Sequence, residues 1–496
     1  MRVFRILAAV AVVVLGAASV WMGGLNQDEG WYLYAANLVA EGKVPYRDFF
    51  YTQGPLLPVV YSAFTWVWKS WGLLGARVFT LAIGVFGILL ASALARRLAP
   101  EGRRGEAALA VLLLLGSNVY HLYYLTIPKT YALASLFVMT GFLFVDLAQE
   151  AWNRARGGFV WALASGLSLA FAAGTRISLG AILCVVGVFL LVAAARGQLR
   201  RVFAGFVAGG LCGLALVYGP ILASPGARAG LLAAQAYHMA RGGGVVDLTW
   251  TVGSLSRLVR WYLPVFVVLG LGVFRLEPQP AARTFQSRTP WMALWSFLVV
   301  FLVQMKAPFP YEDYQVPIIG LLAVAAVVLL QSASKSPMLL LVLGMTWASS
   351  FGSPLLEKWS TNGQDRFWSI KKPSYELPQL RRVAAEIEAM DPGGKELLTQ
   401  DLYLAVETRR KVPAGLEMGP FSMLTDAEWR ALLESAPCRV AAMSGYTFAV
   451  EPPACGQRPV SQQMEYWEIL KRRYELVGRE EAFGQNATTL LMLRRK

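Results

Sequence analysis

Apolar runs of about 18 or more residues recur along roughly the first 350 positions of this chain, and each is long enough to cross a bilayer as a helix. In lipid only helices and closed barrels satisfy their own backbone polar groups. The runs lack the two-residue alternation of barrel strands. The chain therefore reads as mainly α, a polytopic bundle of transmembrane helices. Hydrophobic residues make up 56% of its 496 positions and charged residues 16%, against roughly 25% charged in soluble domains.

The net charge of +15 raises the question of nucleic acid, and its distribution argues against that partner. Most arginines form short clusters between apolar runs: Arg2 and Arg5; Arg96, Arg97, Arg103 and Arg104; Arg154 and Arg156; Arg196, Arg200 and Arg201; Arg275, Arg283 and Arg288. These clusters occupy alternate loops, which is the positive-inside pattern, so the charge records topology. The pattern predicts about eleven spans, near 6–24, 76–95, 106–124, 130–148, 159–174, 178–195, 202–223, 260–276, 290–305, 314–331 and 337–351. The N-terminus is then cytoplasmic and the C-terminus lies outside, in a bacterial inner membrane. Residues 1–24 have the basic start and apolar stretch of a signal peptide; the many later spans favour an uncleaved first helix.

From about Gly352 charged residues become frequent and apolar runs shorten. Leu377 to Met390 has helical apolar spacing, and Tyr466 to Arg473 reads as a second helix. Glu396 to Leu398, Arg439 to Ala442 and Thr488 to Leu493 read as short strands. The expected organisation is a transmembrane domain over 1–351, with a first periplasmic loop at 25–75, and a small periplasmic α/β domain over 352–496. Cys184 and Cys212 read as small core residues. A disulfide between Cys438 and Cys455 is chemically allowed outside the cytoplasm.

Candidate chemistry gathers on the exterior side. The first loop opens with Asn26-Gln27-Asp28-Glu29-Gly30-Trp31-Tyr32 and continues through Tyr46, Arg47 and Asp48. Between them, Trp31, Tyr34, Leu38 and Val39 suit an amphipathic helix on the membrane surface. An acidic pair at the mouth of a span is costly to desolvate. Asp28 with Glu29 is either a general base for an acceptor hydroxyl or the cap of the following helix. Asp48 after Arg47 equally suits an exposed ion pair. Lys129, Arg176 and Lys306 stand out as cations where the positive-inside bias removes them. They are either compensating charges for a phosphate leaving group or snorkelling helix ends. Glu312, Asp313 and Tyr314 flank another span. The two acids would contact sugar hydroxyls, face water, or join Asp28 around a divalent cation. With only oxygen ligands that cation would be Mg or Mn. No zinc motif, phosphate-binding glycine loop or nucleophile elbow is present.

Over about residues 1–350 the chain resembles membrane glycosyltransferases of the GT-C superfamily, such as protein O-mannosyltransferases and the lipid A aminoarabinose transferase. The resemblance is carried by Asp28-Glu29 after the first span, Pro45-Tyr46-Arg47-Asp48-Phe49, Gly54-Pro55-Leu56, Gly75-Ala76-Arg77-Val78, Ala95-Arg96-Arg97-Leu98, and Tyr314 to Pro317. It implies a sugar donor on undecaprenyl phosphate or a similar lipid, and transfer with inversion to a lipid, glycan or protein acceptor. Asp28 would be the base, supported by Glu29, and Lys129 and Arg176 would face the phosphate. Many relatives carry a second acid where this chain has Pro128-Lys129, which fits a lysine–phosphate role better than a metal one. The competing expectation is a transporter or lipid flippase, which should place charged or broken segments near mid-membrane. A non-catalytic scaffold would leave the exterior acids and cations without a common purpose.

Overall fold

In the computed structural model of the chain, the described residues are 2–240, 248–274, 288–307, 310–330, 344–346, 376–419, 422, 424–444, 460–485 and 487–496. The bundle contains α1 (Arg2–Met22), α4 (Thr65–Leu98), α5 (Arg104–Gly116), α6 (Val119–Thr126), α7 (Thr130–Asn153), α8 (Phe159–Thr175), α9 (Gly180–Ala195) and α10 (Arg200–Ala223). It continues through α12 (Leu248–Trp261), α13 (Leu263–Phe274), α14 (Thr289–Met305) and α15 (Val316–Leu330). Helix α11 (Pro225–Ala240) connects α10 to α12. Five described helices are long and apolar enough to cross a membrane, or up to seven with each bent pair taken as one span.

Ten of the expected spans coincide with these apolar helices or bent pairs, three being shorter apolar helices. The span expected at 337–351 lies almost wholly outside the described residues, as does the expected boundary at 351/352. One expected span, 106–124, is broken rather than straight, since α5 and α6 meet at 70°; α12, which precedes the expected span 260–276, meets α13 at 75°. The breaks face one another: Asn118 Nδ2 donates to the Trp261 carbonyl at 2.8 Å, and His121 Nδ1 lies 3.0 Å from the Tyr262 hydroxyl. Each break thus supplies polar partners that a bent helix cannot find in itself.

Two cores result. One is the aliphatic interior of the bundle, running from Ala8 through Leu113, Val138 and Val186 to Leu322. The other joins the first loop to the C-terminal α/β unit. That loop contains α2 (Gln27–Ala40) and α3 (Leu56–Ser62). The C-terminal unit contains α16 (Glu376–Met390), α17 (Leu402–Glu407), α18 (Asp426–Ser435) and α19 (Val460–Arg473). Its strands β1 (Val440–Ser444), β2 (Tyr474–Phe483) and β3 (Thr488–Arg495) form an antiparallel sheet in the order β1-β3-β2.

Helix α2 therefore differs from the expected surface helix. Gln27 and every residue from Glu29 to Ala36 are buried, because α17 packs across it. Gly30 makes this approach possible, since a Cβ there would collide with the Leu402 and Tyr403 backbone. Cys184 and Cys212 also differ from expectation: both are exposed on the bundle periphery. Cys438 is buried, and Cys455 lies outside the described residues.

Candidate active site

The site forms where several chain connections meet at one end of the bundle. Helix α7 begins there at its N-cap Lys129 and ends near Arg154, about 36 Å away at 1.5 Å per residue. Arg97 and Arg154 thus lie at the opposite end.

Asn26 starts α2 with a capping box: its side chain accepts from the helix's first turn, and Glu29 returns a bond to the Asn26 N–H. This cap sets the directions of the two acids that follow. At about 100° per residue, neighbouring helical side chains diverge. Glu29 turns inward and is completely buried. Arg77 Nε and Nη2 grip it at 2.7 and 2.6 Å. The same guanidinium donates to the carbonyls of Val20, Gly23 and Gly24. Glu29 and Arg77 thus tie α1, α2 and α4 together, and neither faces the cluster below.

Asp28 keeps partial exposure, with its side chain 23% accessible. Its carboxylate lies 2.8 Å from Lys129 Nζ. Lys129 Nζ also reaches Asp313 Oδ2 at 3.0 Å, and the Tyr131 hydroxyl donates to that oxygen at 2.8 Å. Arg176 stands alongside. Its guanidinium lies 4.5 Å from the Tyr314 ring centroid and 5.3 Å from that of Tyr131. It is 7% exposed, and its Nε has no hydrogen-bond partner among the described residues. The phenol of Tyr32 is buried in the field of Asp28, Lys129, Arg176 and Tyr314, and desolvation pushes its pKa well up. Two cations and two carboxylates share this cluster, so its formal charge is zero.

Gly54 lets the first loop close over this end, because a Cβ there would collide with the Gly174 carbonyl.

Other expected site residues sit apart. Arg47 and Asp48 pair with each other at 2.9 Å on the surface, and Asp48 also accepts from the Val44 N–H. Tyr46, at φ +68, donates its hydroxyl to the Gln53 carbonyl. Lys306 ends α14 and is exposed. Glu312 pairs with Arg257 at 3.0 Å. Tyr131, Arg77 and Gln315 were not singled out from the sequence. Gln315 is buried, and neither end of its carboxamide has a partner among the described residues.

The carboxylates of Asp28 and Asp313 already converge on the Lys129 ammonium. No group of three or more His, Cys, Asp or Glu side chains converges among the described residues.

This arrangement, a polytopic bundle with a buried charged cluster at one end under a small α/β cover, is the GT-C fold. The chain is similar over 98% of its length to ArnT from Cupriavidus metallidurans in a crystal structure with undecaprenyl phosphate. The TM-score is 0.65, the identity 15%, and 97% of that chain is covered. The apo state of the same protein gives a TM-score of 0.63 at 16% identity, with the same coverage. No sequence family and no curated protein matches.

Proposed function

We propose that the chain is an inverting glycosyltransferase that moves a sugar from a polyprenyl-phosphate donor, such as one on undecaprenyl phosphate, to an acceptor on the periplasmic side of a bacterial inner membrane. The observation that carries this reading is the cluster itself. A partly exposed carboxylate, Asp28, stands beside Lys129 and the buried Arg176, at one end of a bundle that shares its fold with a protein crystallised with undecaprenyl phosphate.

The chemistry follows from charge. The donor is a phosphodiester with one negative charge. As the acceptor oxygen attacks the anomeric carbon, the bond from that carbon to the phosphate oxygen breaks. The leaving lipid phosphate gains a second negative charge, and the acceptor proton passes to Asp28. Lys129 and Arg176 stabilise that added charge more than the ground state. At rest Lys129 is held by Asp28 and Asp313. A bound phosphate draws the ammonium toward itself and frees Asp28 as a base, while Asp313 and Tyr131 keep the lysine within reach. Glu29 acts one step back, by fixing the turn that carries Asp28. Gln315 suits a neutral sugar hydroxyl, since a carboxamide offers both a donor and an acceptor. The acceptor is a lipid, glycan or protein.

The test is transfer from a radiolabelled polyprenyl-phosphate sugar into a membrane extract by purified protein, with a chelator present. Wild type should transfer label, and Asp28→Asn should slow transfer by about 10²-fold or more. Equal rates would remove Asp28 as the base.

One observation favours a transporter: the two broken helix pairs, a feature of transporter binding sites. Their breaks are bonded to each other. A lipid-scrambling assay separates the readings, and we expect no scrambling.

A further inference from the structure

We infer that Asp401, in the C-terminal α/β unit, is a positioning residue for Asp28 and acts through Gln27. The inference rests on the reading of Asp28 as the base.

Asp401 is 1% exposed. One oxygen of its carboxylate accepts from Gln27 Nε2 at 3.0 Å and from the Tyr403 hydroxyl at 3.0 Å. Burial pushes its pKa up, and the bonds from Gln27 and Tyr403 pull it back part of the way. Gln27 is itself buried, and its backbone N–H donates to Gln485 Oε1 at 2.8 Å. That N–H belongs to the first turn of α2, where no carbonyl of the helix is available to accept it. Two residues earlier, the Leu25 N–H donates to the Glu376 carboxylate. The C-terminal unit therefore satisfies the start of α2 at three points.

A carboxylate this deeply buried is expensive unless it is bonded. Exchanging the whole hydrogen-bonded group for apolar residues of similar shape is often no worse for folding, so its placement here calls for a reason besides stability. Position supplies one. Residues 27 and 29 flank Asp28 on both sides. Glu29 is gripped from the bundle by Arg77, and Gln27 is gripped from the C-terminal unit by Asp401. Between these anchors the Asp28 side chain is aimed at Lys129. An error of about 1 Å in such a group costs up to about 10²-fold in rate, so the Gln27–Asp401 bond sets the rate of a reaction it never touches.

The test compares Asp401→Ala, Asp401→Asn, Gln27→Leu and the double variant Gln27→Leu/Asp401→Ala in the full chain, using the radiolabelled donor. Asp401→Ala and Gln27→Leu should each lower kcat about tenfold, within the range expected for misplacement, with KM for the lipid donor unchanged. The double variant should be no slower than either single one, since both remove the same bond. Asp401→Asn keeps an acceptor for Gln27 and Tyr403 and should recover most of the loss. Hydrogen exchange at the Gln27–Glu29 amides provides a readout should Asp401→Ala fail to fold; Gln27→Leu should speed it. Wild-type kcat in Gln27→Leu, additive losses in the double variant, or a KM effect alone would overturn the inference. If Asp28→Asn transfers at the wild-type rate, the reading beneath it fails instead.

Discussion

The two ends of the bundle hold their charges in opposite ways. At the arginine-rich end, Arg97 pairs with Asp146 and Glu150, and Arg154 pairs with the same Glu150. Those arginine side chains are 31% and 62% accessible and Glu150 is 37%, while Asp146 is itself buried. At the other end, Glu29 and Arg77 are fully buried, and Lys129 and Asp313 are each 9% accessible. Exposed pairs are screened and contribute little. Buried charges are expensive and persist only when each partner answers the other. The arginine-rich end thus holds its charges near solvent, and the other end holds them in the interior.

The largest expected effect comes from Arg77→Ala. It strands Glu29 without a counter-charge and removes the donors to three backbone carbonyls of the α1–α2 connection. Loss of one partner of a buried pair costs about 3–5 kcal/mol, so the purified variant should unfold at a much lower temperature or fail to accumulate. A thermal midpoint near wild type would place this pair with the exposed ones. Arg154→Gln, at the opposite end, should cost less than about 1 kcal/mol and leave transfer unchanged; a loss as large as that of Arg77→Ala would break the contrast between the ends.

The smallest effect belongs to Asp48→Asn. The hydrogen bond from Arg47 holds the Asp48 carboxyl down at about 2. A lowered carboxylate stabilises the fold above its ordinary pKa and stops doing so as pH falls through the shifted one. The small midpoint difference between Asp48→Asn and wild type should therefore be constant near neutrality and close as pH drops from about 4 toward about 2. A difference that grows on acidification would contradict the pairing.

The helices were largely legible because hydropathy is a local signal. The site was legible only in part. Asp28 and Glu29 form one acidic pair in the sequence, and only the direction set by the Asn26 cap separates their environments. Arg77 stood in a recognisable segment, and the overlooked signal was a charge inside an apolar helix, which demands a buried partner. The pairing of Lys129 with Asp313 spans 184 positions, and no local pattern encodes it. Helix α2 looked like a surface helix because the residues that cover it come from α17. Strand β2 carries no apolar strand signal because six of its ten residues are exposed, three of them charged: Glu475, Arg479 and Glu481.

The central claim is that the buried cluster, and not the arginine-rich end, receives a lipid phosphate. Equilibrium binding of radiolabelled undecaprenyl phosphate to purified full-length protein tests it most directly, with Arg176→Gln and Lys129→Gln compared against Arg154→Gln. Each lost charge-assisted contact is worth about 1.5–3 kcal/mol, so the first two should weaken binding about tenfold or more, and Arg154→Gln should bind as wild type does. Equal affinity in all four proteins, or weakening by Arg154→Gln alone, would contradict the claim.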